Sequence, residues 1–137
     1  MSPASNRHGL YQALIVEWLV RLAQQGKPLV ECGIQTRQGV KVADVAWASY
    51  DFFRSNGLQD PYLCAPDVVV EILSPSNSRA EMCNKKRLYF AAGAQECWLC
   101  AADGHLAFFN GEGQLPHSGI VPDFPARIDI DFVDLGG

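Results

Sequence analysis

The sequence predicts an α/β protein in which a β-sheet is flanked by helices. Three observations lead there. Residues 8–25 carry apolar side chains near helical spacing. Short β-branched runs then recur between turn signals. A second helical stretch, with its own capping box, separates the third run from the fourth. The order helix, three strands, helix, strand is that of a layered α/β domain.

In the first helix Leu10, Leu14, Val16, Leu19, Leu22 and Ala23 recur on one side, with Glu17, Arg21 and Gln24 between them. Ser5 or Asn6 supplies its cap, and Gly26 followed by Pro28 ends it. Residues 29–35 read as a strand, Arg37-Gln38-Gly39 as a turn, and residues 40–47 as the returning strand of a hairpin. Val42, Asp44 and Ala46 share one face of that second strand. Residues 49–66 are less regular, with a turn signal at Arg54-Ser55-Asn56-Gly57 and punctuation at Pro61 and Pro66. Residues 67–73 form the third strand. Ser78 then stands as N-cap with Glu81 three positions on, and the helix runs to about Ala92 with Gly93 as its C-cap. Residues 96–101 are a fourth central strand. Residues 105–110 follow the turn Ala102-Asp103-Gly104, and Gly111-Glu112-Gly113 turns again. The tail, broken by Pro116, Pro122 and Pro125, is expected to add edge strands, the last over residues 127–133.

A length of 137 residues suits one domain over 1–137. With 48% apolar and 19% charged residues the chain is globular and not disordered. No apolar run approaches the ~20 residues of a membrane span. The polar start MSPASNRHG has no signal-peptide core. The five cysteines, odd in number and irregularly spaced, read as reduced thiols in a cytoplasmic protein. Cys97 and Cys100 form a C-x-x-C, but on a strand they face opposite ways, so buried structural thiols outweigh metal or redox chemistry. The net charge of −4 argues against a dedicated nonspecific DNA binder and leaves room for a local basic patch.

The chemistry centres on Asp67-Val68-Val69-Val70-Glu71. Asp67, Val69 and Glu71 share a strand face. An acid inside a Val/Ile run is costly to bury unless it is paired or coordinates a cation. Three partners are within reach of the element order: Asp44 on the second strand, and Lys85 or Lys86 on the following helix. On that helix Glu81, Lys85 and Tyr89 form one i, i+4, i+8 stripe. Two carboxylates from adjacent strands can hold a divalent cation through oxygen. Such a cation lowers the pKa of a bound water and stabilises charge on a phosphate, and a nearby lysine can assist. The plainer alternative is a structural ion pair of Glu71 with Lys85 or Arg87.

The segments VADVAWAS, PDVVVEILSPSNSRAEMCNKKRLYFAAGAQECWLC and NRHGLYQALI resemble the Uma family of restriction-endonuclease-like proteins, which carry the PD-(D/E)XK nuclease core. The correspondence runs through Asp44-Val45, residues 66–77, Lys85, Tyr89, Gly93 and Glu96-Cys97-Trp98-Leu99. It implies a restriction-endonuclease-like αβββαβ core with a mixed sheet flanked by helices and extra C-terminal edge strands. It makes Asp44 and Glu71 the metal-site carboxylates, Lys85 the catalytic lysine, and Mg²⁺ or Mn²⁺ the cofactor. In the superfamily the lysine usually stands two positions after the acid. Here Leu73 stands there, so the lysine has moved to the helix, as in the Uma family. Ala43 replaces the family's proline before Asp44, and Glu81 replaces an aspartate. The chain also starts almost at the His8 helix, without the earlier acidic, glycine-containing segment that family members carry.

The implied activity is metal-dependent phosphodiester hydrolysis, with DNA favoured over RNA as partner. The alternative is a catalytically idle nuclease fold serving oligomerisation or nucleic-acid binding. A homodimer is expected, because exposed sheet edges invite pairing and cutting two strands takes two sites. Of the remaining residues, Asp67 is placed as a strand-start acid or an outer carboxylate behind Glu71, and Glu81 as a capping residue. Tyr89 and Trp98 are expected in the core, His8 as a surface or satisfied histidine ahead of a cap or a helper to the site from the first helix, and Glu17 as an outside candidate for a helix-borne acid.

Overall fold

The computed structural model describes residues 5–136; the polar start at residues 1–4 lies outside them. Helix α1 (Asn6–Leu22) leads into the hairpin β1 (Gly26–Thr36) and β2 (Gly39–Ser49). A short helix α2 (Tyr50–Asn56) precedes β3 (Val68–Ile72). Helix α3 (Arg79–Ala91) follows, then β4 (Glu96–Cys100), β5 (Leu106–Asn110) and β6 (Gly113–Leu115). The six strands lie in the order β1-β2-β3-β4-β5-β6. All neighbours are antiparallel except β3 and β4, which are parallel and joined by α3. Only a crossover can join a parallel pair, and α3 is that crossover. Setting α2 aside, the order to β4 is the αβββαβ core.

Local chemistry explains the boundaries. The Ser5 hydroxyl accepts from the backbone N–H of His8 and caps α1. The Ser78 hydroxyl accepts from Glu81 N at 3.0 Å and caps α3. Gly93, just past the α3 cap, has φ +111°, a conformation only glycine adopts freely. In the hairpin Thr36 pairs with Gly39, leaving Arg37-Gln38 as a two-residue loop.

The sheet divides two cores. On one face Tyr11, Ile15 and Leu19 of α1 pack with Val45, Val68, Val70, Trp98 and Phe108. On the other Tyr89 packs with Ala46, Val69 and Cys97 under α3. Each such fully buried aliphatic side chain stabilises the fold by about 1.5–3 kcal/mol. β3 lies in the middle and is buried at all five positions.

Four local expectations change. The buried stripe of α1 runs through Tyr11, Ile15 and Leu19, with Leu14, Val16, Leu22 and Ala23 on its flanks. Pro28 does not stop anything. It lies within β1, at the sheet edge, where a missing N–H costs no ladder bond. Residues 50–56 are helical, capped by the Ser49 hydroxyl, which accepts from Phe52 N. The tail forms no strand over residues 127–133. Arg127 makes one isolated bridge to His105, and Asp131–Gly136 is a 3-10 helix. The tail instead plugs the α1-side core with Val121, Phe124 and Ile128.

Glu96 anchors that plug. Its buried carboxylate accepts from Trp98 Nε1, Ser118 Oγ, Gly119 N and Ile120 N at 2.7–3.1 Å. The five cysteines are free. Cys97 and Cys100 lie in opposite cores, and burial pushes both thiols up to about 12. They are packing groups, as their strand positions predict.

Candidate active site

The site begins where two strands part. β2 and β3 pair only through Val45↔Val70, Ala46↔Val69 and Trp47↔Val68. Beyond Val45, β2 continues with β1 to Gly39, while β3 continues with β4 to Ile72↔Cys100. Asp44 and Glu71 are the next residues on the two diverging strands. The Asp44 side chain takes over from the ladder there: its Oδ2 accepts from the backbone N–H of Ile72 at 2.7 Å.

A backbone irregularity allows this. Glu31 stands opposite Asp44 in the hairpin and has φ +50°. Ala43 and Val45 then pack in opposite cores, although residues two apart normally share a face. Asp44 sits in that break, aimed into the fork. Gln12 on α1 braces it, donating its Nε2 hydrogens to the Asp44 carbonyl at 2.8 Å and to Glu31 Oε1 at 2.9 Å.

Glu71 faces α3. Its Oε1 accepts from the Tyr89 hydroxyl at 2.7 Å, and Lys85 Nζ lies 3.4 Å from its Oε2. The Glu71 side chain is 4% exposed, while that of Lys85 is 30% exposed. Burial first, and the Asp44 charge second, push the Glu71 carboxyl up to about 7; Lys85 and the Tyr89 hydroxyl pull the other way. Glu71 thus feels one lysine and one second carboxylate. From the α1 side, His8 Nε2 lies 3.1 Å from Asp44 Oδ1. The other ring nitrogen of His8, Nδ1, is buried without a hydrogen-bond partner.

The three residues singled out from the sequence, Asp44, Glu71 and Lys85, thus meet at one end of β3. Lys86 points elsewhere, its Nζ 3.4 Å from the centroid of the Phe109 ring. Arg87 is exposed. Asp67 does not belong to the site. It lies about 13 Å along the strand at ~3.3 Å per residue, where its carboxylate accepts from Ser49 N and from Gln95 Nε2. Glu81 stays at the α3 N-terminus, accepting from Asn77 Nδ2. Glu17 is exposed.

Two residues contribute more than their types suggested. Tyr89 is a core aromatic, but its hydroxyl is aimed at Glu71; the Lys85/Tyr89 spacing of one helical turn carried that signal. His8 touches Asp44 and is not a bystander, while Gln12, one turn further along α1, left no signal of its own.

A hard divalent cation suits the donor set. Both carboxylates are oxygen ligands, and the buried, undercompensated negative charge is what a cation relieves. Among the described residues, no group of three or more His, Cys, Asp or Glu side chains is placed to hold a metal ion. Two carboxylates leave positions for water and phosphate, as Mg²⁺ sites commonly do.

Known proteins agree with this architecture. A crystal structure described as a putative nuclease belonging to DUF820 from Anabaena variabilis superposes with a TM-score of 0.75, covering 95% of this chain and 81% of that one. At 15% identity the likeness is one of fold. No curated protein matches the sequence. A family model matches residues 1–124, and by that match the chain belongs to the Uma2 family, described as putative restriction endonucleases.

Proposed function

We propose that the chain is a divalent-cation-dependent nuclease that hydrolyses phosphodiester bonds, in DNA ahead of RNA. The observation that carries this is the meeting of Asp44, Glu71 and Lys85 at the β2–β3 fork. Asp44 and Glu71 would hold Mg²⁺ or Mn²⁺. The bound cation supplies a water of lowered pKa and positive charge against the phosphate. Lys85, the most exposed of the three, would orient that water or stabilise the charge that develops on the phosphoryl oxygens. The water oxygen bonds to phosphorus as the bond to the leaving ester oxygen breaks. Ile72 N and His8 hold the Asp44 carboxylate in place, and the Tyr89 hydroxyl does the same for Glu71.

Among the described residues no helix is long and apolar enough to cross a membrane. The five free thiols, three of them buried, support a reducing, cytoplasmic setting. A homodimer fits a sheet whose edge hairpin exposes Val30 on β1 and, further along, Val40 and Val42 on β2.

The test is cleavage of labelled single- and double-stranded DNA and RNA with Mn²⁺, run beside Glu71→Gln and Lys85→Ala. Cleavage by the parent that both substitutions abolish is expected. Cleavage that survives Glu71→Gln would mean a contaminant or another site. No cleavage of any substrate by the parent would favour the idle module.

A further inference from the structure

We infer that the groove between α3 and strands β4–β6 is the track for an unpaired nucleic-acid strand leading into the site. This deepens the nuclease reading and rests on it. A cavity of ≈ 460 Å³ opens on the α3 side of the sheet, continuous through Cys83, Lys86 and Phe109 with a second of ≈ 410 Å³. The register fixes its position. Glu71 pairs with Leu99, and Cys97 pairs with Phe109, so Leu99 and Phe109 extend the sheet face that carries Glu71. At ~4.8 Å per strand, Leu99 is the next side chain over from the carboxylate, and Phe109 lies one strand further and two residues along, opposite Cys97.

The lining has the chemistry that unpaired strands use. Leu99 and Phe109 form an apolar floor, half-buried and open to solvent. Arg79 and Lys86, two helical turns apart, line it from α3, and Lys86 already lies over the Phe109 ring. A base stacked on Phe109 would take the place of that ammonium, freeing Lys86 for a phosphate. Charge complementarity points the same way. The chain has a net charge of −4, yet Arg79, Lys86 and Arg87 line the groove against Glu112 alone. Duplex suits the groove poorly. Duplex keeps its bases stacked on one another and has none to lay on Phe109.

The experiment measures binding of a fluorescent single-stranded DNA by anisotropy, without metal, in the Glu71→Gln background. Phe109→Ala should weaken binding about tenfold, by loss of one stacked base. Lys86→Gln, which leaves the fold's apolar packing alone, should lower the salt-dependence slope by about 0.7. Bound strand should also slow maleimide labelling of exposed Cys83. Unchanged affinity and slope in both variants would overturn the inference. So would tighter binding of duplex than of single strand, or a groove that proves to be filled by a second copy, seen as a monomer produced by Phe109→Ala in light scattering. Cleavage by the parent with normal binding in the groove variants would remove the groove and keep the nuclease. Groove-dependent binding with no cleavage by the parent would remove the nuclease and keep the groove.

Discussion

Glu71 sets the terms at the residue scale. Its ordinary value as a glutamic acid is 4.5, and in the fold it stands at about 7. The folded state therefore binds its proton more tightly than the unfolded chain does. The stability linked to this proton is fully present below about pH 4.5 and is lost as pH rises through about 7. The span corresponds to roughly 3 kcal/mol at most. Urea melts of the metal-free protein should show stability falling between these two pH values, and Glu71→Gln should remove most of that slope. A slope that persists in the variant would place the effect elsewhere. Cation binding should strengthen with pH across the same window, because the cation competes with the proton.

Asp67 provides the contrast. It shares the third strand's run with Glu71 but ties Ser49 and Gln95 together at the opposite end. Asp67→Ala should cost about 1–2 kcal/mol of stability by leaving those donors unpaired, with Mn²⁺ affinity unchanged. A matching loss of metal affinity would return Asp67 to the site. By sequence Glu71 belongs to the site, while Asp67 is left open as a strand-start acid or an outer carboxylate. What separates them is the strand polarity: one end of β3 meets α2 and the other meets the fork.

Among the elements, α1 and α3 approach the fork from opposite faces. α3 was legible in detail, because its cap, its Lys85–Tyr89 spacing and its closing glycine are all local signals. The reach of α1 was not. His8 and Gln12 become site neighbours only because β1 and β2 break their alternation together at Glu31 and Asp44. A positive φ at a glutamate has no signature in the residue string. If His8 positions Asp44, His8→Ala should weaken Mn²⁺ binding about tenfold, as the loss of an outer partner does. His8→Gln, which can still place an amide near Asp44 Oδ1, should recover part of it. Equal affinity in all three, measured by calorimetry, would leave His8 as packing alone.

Across the whole molecule, the core order came through because each of its elements is long or strongly punctuated. The tail did not. It reads as edge-strand material, the last strand over residues 127–133, but its Val121, Phe124 and Ile128 close the α1-side core, held by a buried carboxylate on β4. Strand pairing and core plugging use the same residue types, and only the three-dimensional partner decides between them. The same holds for α2, whose seven residues are too few for a periodic signal. What the assembled sheet adds is the fork itself, where a ladder ends and two acids from neighbouring strands are left facing each other.

That juxtaposition is tested most directly by calorimetric titration of Mn²⁺ into the parent chain, Asp44→Asn and Glu71→Gln, each checked by circular dichroism. The parent should bind one ion, and both variants should lose it while keeping the parent's spectrum. Binding that is unchanged in folded Glu71→Gln would contradict a metal site at the fork and leave Glu71 and Lys85 as a structural ion pair.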